Sequence, residues 1–253
     1  MLRFVFLGTC AACALSTASP HDLDGGPVPD ARFSRQECRF EADRSATVAV
    51  GTARRLILEA GAGSLRIEGR SGLSEVRISG RACASHDELL DQLDFDAGLA
   101  GDAVEIRTHE IDSRDWRGQR YARLDLIVEV PVGMAADITD RSGELVVAGL
   151  GETRIEDGSG EIEVADIVGR LTIDDGSGEV RVRDVDGDVT IDDGSGEIEL
   201  LRITGSVRID DGSGDIDVDD IGADFIVATD GSGSIDHRGV RGSIDVPRKG
   251  RRR

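Results

Sequence analysis

Apolar residues recur at every second place in short bursts: Val48 and Val50, Leu56 and Leu58, Leu65 and Ile67, Val76 and Ile78. Gly61, Gly63, Gly69 and Gly72 punctuate them. Period-two alternation bounded by turn formers predicts short strands. One stretch departs from it. "SHDELLDQL" sets Leu89, Leu90 and Leu93 on one helical face, with Ser85 and Glu88 spaced as a capping box, and predicts a helix near residues 85–93. Strands resume at Val104 and Ile106 and again through Leu124, Leu126, Val128 and Val130, ending at Pro131.

From Asp140 the alternation sits inside a longer period. Asp140, Asp157, Asp175, Asp193, Asp211 and Asp230 open successive turns at steps of 17, 18, 18, 18 and 19, the last five spelling Asp-Gly-Ser-Gly in full. Aligned on these aspartates, Leu145, Ile162, Val180, Ile198, Ile216 and Ile235 form one apolar column, and Ile173, Ile191, Ile209 and Val227 another. One such unit cannot bury its apolar face, whereas stacked units share a continuous core. The expected fold is all-β: a parallel β-solenoid of about 18-residue coils. A more irregular strand region precedes it. Six coils at ~4.8 Å each make a rod of roughly 30 Å. The repeated motif is first a corner, in which the Asp carboxylate accepts from the backbone N–H two residues on and glycine permits a sharp turn.

The organisation read from this pattern is an export signal at residues 1–18, a flexible leader at 19–37 and an N-terminal β region at 38–139. The regular solenoid follows at 140–247, with a basic tail at 248–253. The signal reading rests on Arg3, the apolar run from Phe4 to Leu15 and the small residues up to Ala18. Cys10 and Cys13 raise a lipoprotein variant, but their neighbours fit it poorly. No later segment has the length of a membrane-spanning helix. After cleavage two cysteines remain, and in an oxidising compartment Cys38 and Cys83 read as one structural disulfide.

Composition changes the picture through charge. The formal net charge is -20 and aromatics are 3% of residues, so the core is aliphatic and the surface acidic. Such a surface repels nucleic acid and anionic lipid and favours cations or basic partners. Only the end of the chain, Arg248, Lys249, Arg251, Arg252 and Arg253, reverses the sign, and it is a frayed tail or an envelope contact.

The segments "AGAGSLRIEG" and "VEVPVGMAADI", followed by tandem "DGSGEIEV" and "GRLTIDDGSG" units, resemble the bacterial candidate-adhesin domain family. That family is a domain-of-unknown-function group related to head-domain adhesins of the GIN type. The resemblance covers about Ala46 to Val246 and implies an exported β-solenoid, often encoded beside envelope-stress or regulatory proteins. It brings no catalytic residues, and no cofactor is expected apart from the weak calcium or magnesium binding weighed below.

Stacking is expected to line up three acidic columns facing outward: Glu144 to Asp215, Asp157 to Asp230, and Glu156 to Asp210. Two readings stand. Asp157, Asp175, Asp193, Asp211 and Asp230 bind calcium or magnesium weakly at many sites, or they are solvated corner residues that keep the strands soluble. Catalysis is disfavoured, because an active site interrupts a repeat whereas these acids obey it. "AGAGSL" lacks the third glycine and the following helix of a dinucleotide loop. His237 takes an apolar column position in the last coil and reads as a core turning into a cap. The function expected is an exported, non-enzymatic binding or structural module of the bacterial envelope, in the periplasm or at the surface, with a protein or glycan partner. The alternatives are an envelope-stress accessory protein and a polysaccharide-active enzyme.

Overall fold

The computed structural model describes residues 38–109, 111 and 120–247. The residues read as signal, leader and basic tail lie outside the described residues, as do 110 and 112–119. The first part comprises β1 (Phe40–Ala49), β2 (Arg55–Ala62), β3 (Leu65–Arg70), β4 (Glu75–Ala84), α1 (Asp87–Leu90), β5 (Phe95–Ala100), β6 (Ala103–Thr108) and β7 (Ala122–Pro131). The coils follow as β8 (Ala135–Ala148), β9 (Thr153–Asp157), β10 (Gly160–Val168), β11 (Leu171–Asp175), β12 (Val180–Asp186) and β13 (Val189–Asp193). They end with β14 (Ile198–Ile203), β15 (Val207–Asp211), β16 (Ile216–Ile221), β17 (Phe225–Asp230), β18 (Ile235–Arg238) and β19 (Ile244–Asp245).

Two sheets enclose one core. Each coil contributes one strand to each sheet, so β10, β12, β14, β16 and β18 stack in one, while β9, β11, β13, β15, β17 and β19 stack in the other, all parallel. The register is the expected one: Ile162 pairs with Val180, Val180 with Ile198, and Ile198 with Ile216. All four are buried, as are Ile173, Ile191 and Ile209 on the facing sheet. This is the parallel β-solenoid that the period predicts.

The coil geometry begins before the sequence repeat does. Strand β8 turns a corner at Ser142-Gly143, so that its first half lies in one sheet and its second half in the other. It thereby runs through residues 139 and 140, where the sequence reading divides the chain. The pair β2–β3 turns the same corner at Ala62-Gly63 and stacks on β8, with Leu56 against Ala136, Leu58 against Ile138 and Leu65 against Leu145. "AGAGSL" is therefore a solenoid corner.

Beyond β3 the pattern changes to a closure. β7 pairs parallel with β3, then β4 pairs antiparallel with β7 and β1 antiparallel with β4. On the other sheet β6 extends β2 and β5 folds back antiparallel on β6. The Cys38–Cys83 disulfide closes this end with a Cα–Cα distance of 5.4 Å, tying the start of β1 to the end of β4. Helix α1 is one turn, shorter than expected, and its cap differs. His86 is the N-cap residue with no side-chain bond into the helix, whereas Ser85 Oγ accepts from Tyr121 N–H at 3.1 Å. Ser85 thus serves a tertiary contact instead of the capping box. Leu89 and Leu93 still face the core, and Arg44 donates to the Leu90 and Leu93 carbonyls at 3.0 and 2.9 Å, satisfying the turn's end.

At the corners the backbones of successive coils nearly touch. A Cβ built on Gly196 falls 1.5 Å from the Gly178 carbonyl oxygen, and one on Gly214 falls 1.5 Å from that of Gly196. Only glycine leaves room there. Gly196→Ala is therefore expected to destabilise the protein by about 3 kcal/mol or more, since backbone on both coils must shift. Gly98→Ala, with nothing within 4 Å, should change the denaturant midpoint little, and equal effects of the two would contradict this packing. Reducing Cys38–Cys83, which closes a 45-residue separation, should cost up to about 4 kcal/mol in a thermal or urea melt by loop entropy.

Candidate functional site

The corner recurs along the solenoid, keeps the same turn bond in three successive coils, and carries the unusual chemistry. Asp175 Oδ1 accepts from the Ser177 N–H at 3.2 Å, Asp193 Oδ1 from Ser195 at 3.1 Å and Asp211 Oδ1 from Ser213 at 3.0 Å. These are the turn bonds the motif predicts. Successive corners are bonded to each other as well: Gly178 N–H donates to the Ser195 carbonyl and Gly196 N–H to the Ser213 carbonyl, both at 3.0 Å.

The direction of these aspartates corrects the expectation. Asp157, Asp175, Asp193 and Asp211 do not face outward but are buried, with Asp175 and Asp193 only 3% and 2% exposed. Each ends a strand whose inward positions alternate, as in Leu171, Ile173, Asp175, so strand parity carries the carboxylate into the core. Asp140 joins them at 2% exposure, and Asp230 at the far end is half-buried. The other two columns do face outward. Glu161, Glu179 and Glu199 gather around the Arg181 guanidinium, and Arg154 and Arg208 pair with Glu156 at 2.8 Å and Asp210 at 3.3 Å.

Burial without a cation raises the proton affinity of the inward column. Loss of solvation, then the like charge of Asp157 one coil away, pushes Asp140 up to about 7. The same causes, with Asp157 beside Asp175 and Asp175 beside Asp193, bring those two up to about 6. Asp157 and Asp211 are also shifted upward by burial. One oxygen each of Asp140, Asp175, Asp193 and Asp211, and both of Asp157, are sealed from solvent without a side-chain hydrogen-bond partner.

A further column went unread in the sequence. Asp166, Asp184, Arg202 and Asp220 all take φ between 56 and 58°, a left-handed kink between the inward residues of the second strand. Gly149 and Gly239 continue the spacing at either end with φ of 73 and 65°. The signal was present as polar residues in step, flanked by glycines. Arg202 donates to both oxygens of Asp184 at 2.6 and 2.8 Å, which holds the Asp184 carboxyl below its ordinary range. His237 pairs with Val218 in register but is exposed, its ring 6.1 Å from that of Phe225. The core ends there.

As for metals, the described residues hold no cluster of three or more His, Cys, Asp or Glu side chains arranged to take an ion. Two concavities, about 320 and 260 Å³, are lined mainly by residues before the sequence repeat, the second also by Arg141 and Ser142 of β8. The first is edged by Leu99 and the Glu59–Arg107 pair, the second by Thr108, His109 and Arg141. Among the described residues no helix is long and apolar enough to cross a membrane.

Fold and corner together define a two-sheeted parallel solenoid with a carboxylate at the inside of each turn. The chain belongs to the Toastrack DUF4097 family, whose model matches residues 90–244. No curated protein sequence matches it. Among solved structures it is similar to a candidate cell adhesion protein from Clostridium sporogenes, at 15% identity and TM-score 0.40, covering 83% of this chain and 100% of that one. A candidate adhesin from Bacteroides fragilis shows 11% identity, coverage of 82% and 97%, and TM-score 0.45. A candidate lipid binding protein from Parabacteroides distasonis shows 12% identity, coverage of 81% and 96%, and TM-score 0.46.

Carboxylates sealed inside a core are poor ligands for a hydrated divalent ion, which needs access and six or more oxygens. Millimolar calcium or magnesium is therefore expected to leave the melting temperature unchanged. A rise of several degrees would return the corner aspartates to the role of cation ligands.

Proposed function

We propose that the protein is an exported, non-catalytic binding module of the bacterial cell envelope that works, in the manner of an adhesin, through its outer sheet faces. The observation that carries this reading is the regularity of those faces. Asp174 and Asp192 stand in register one coil apart on the outer face of a parallel sheet, with Glu156 before them and Asp210 after. A surface of that kind suits a partner with repeated basic groups, because Glu156, Asp174, Asp192 and Asp210 recur in register at ~4.8 Å intervals. The Cys38–Cys83 disulfide supports an oxidising compartment and hence export. The regular coils spend their distinctive acids on the corner itself, which supports binding over catalysis. The candidate-adhesin descriptions of two similar structures agree with this role.

The test is retention of envelope protein and glycan fractions on the immobilised, disulfide-intact protein. The comparison is a variant carrying Asp174→Asn, Asp192→Asn and Asp210→Asn. Losing three exposed charge contacts of about 0.5 kcal/mol each should weaken specific retention about tenfold while leaving the fold intact. Equal retention by both proteins would remove the face from consideration. A regulatory membrane protein in the eluate would favour an accessory role in envelope signalling.

A further inference from the structure

The inward aspartates form an unbroken line. Asp140 pairs in register with Asp157, Asp157 with Asp175, Asp175 with Asp193 and Asp193 with Asp211. Parallel pairing sets neighbouring members ~4.8 Å apart at the backbone, close enough for carboxyl groups to meet. Asp140, Asp175, Asp193 and Asp211 each commit one oxygen to a backbone N–H and leave the other in the core without a partner.

What surrounds the line does not neutralise it. Along the same strands the outward neighbours are Glu156, Asp174, Asp192 and Asp210. Past the corner come Glu161, Glu179, Glu197 and Asp215 on the other sheet, and the first inward residues there are apolar. Arg154, Arg181 and Arg208 are engaged with outward acids, and among the described residues no ion pair reaches Asp157, Asp175, Asp193 or Asp211. Adjacent to Asp140 on the preceding coil stands Ala60, so the line starts there; Asp230 follows Asp211 at the other end. Five buried, adjacent, fully ionised carboxylates with orphaned oxygens are not a stable arrangement in a low-dielectric core.

We propose that Asp140, Asp157, Asp175, Asp193 and Asp211 form a proton-binding ladder, in which protonated carboxyls donate their O–H to the orphaned oxygen of the adjoining coil. The protons come from solvent as the coils close. About two protons suffice to break every adjacent like-charge contact in a line of five, and they belong to the line as a whole. The ladder supplies the missing partners and turns a repulsive column into hydrogen bonds running along the solenoid axis.

The sign of the pH effect follows. An aspartate has an ordinary value of 3.8, and in the folded column Asp175 and Asp193 stand at about 6 and Asp140 at about 7. Between those values the folded chain holds more protons than the unfolded one. Stability from this source is full below the ordinary value, falls as pH rises, and is spent once pH passes the folded values. The solenoid is thus firmest in mild acid.

The experiment compares the melting temperature of the intact protein, Asp193→Asn and Asp192→Asn from about pH 5 to 8. The two variants remove the same charge from adjacent residues, one inside and one outside, so general relief of the acidic surface affects both alike. Asp193→Asn places a permanent N–H donor in the line. It is expected to flatten the decline with pH and to melt higher than the parent near pH 8, whereas Asp192→Asn keeps the parental slope. Identical slopes for the two variants would overturn the proposal. Should Asp193→Asn fail to fold, a carbon-13 titration of the aspartate carboxyls in the unmutated protein decides. Several resonances with midpoints near 6 or above support the ladder, and all midpoints near the ordinary value refute it.

Discussion

Parallel, in-register pairing brings each residue to within about 4.8 Å of its counterpart one coil away. Every position is therefore repeated into a column, and whatever is favourable or unfavourable about one side chain is multiplied along the axis. Aliphatic columns gain from this, since Ile162, Val180, Ile198 and Ile216 each bury against a like neighbour. Glycine columns follow from the same closeness: where the corner backbones converge, a methyl group at Gly196 has no space.

Charged columns meet the constraint in three ways. On the exposed sheet face Arg181 sits among Glu161, Glu179 and Glu199, so one cation interrupts the row and water screens the rest. At the left-handed kink the row itself changes sign, with Arg202 clasping Asp184 from the next coil. Neither solution is available inside, where among the described residues no guanidinium reaches the four interior aspartates from 157 to 211 and desolvation is the largest cause of the upward shifts. Backbone N–H groups meet part of the demand there, and proton uptake is the remaining way to meet the rest.

The solenoid was legible because its period of about eighteen residues is written in side chains with unambiguous preferences. The direction of the corner aspartates was misread for an instructive reason. Strict alternation through Leu171, Ile173 and Asp175 points the carboxylate inward, against the general preference of acids for water, and in this fold the parity wins. The left-handed kink escaped because Asp166, Asp184, Arg202 and Asp220 share a backbone conformation and not a residue type. The helix cap failed for a different cause: Ser85 lies at the right spacing from Glu88, yet Tyr121, 36 residues away, claims its hydroxyl. Tertiary partners of that kind leave no local trace.

The loss of repeat before residue 140 also has a physical origin. A stack of identical coils ends in two unpaired strand edges and an open core, so at least one end must be built from something other than another coil. Here β4 runs antiparallel between β7 and β1, α1 lays Leu89 and Leu93 on the core, and the disulfide fastens the outermost strand. The opposite end tapers instead: Val227 is 3% exposed, while Ile244 in the last coil is 45% exposed and His237 stands at a core position in solvent. Irregular sequence at the first end and polar substitution at the second are thus two answers to the same edge, and they confine the regular faces to the coils between them. A partner that recognises spacing would read those coils, whereas one that recognises shape would read the closed end, where the concavities beside Leu99 and His109 lie.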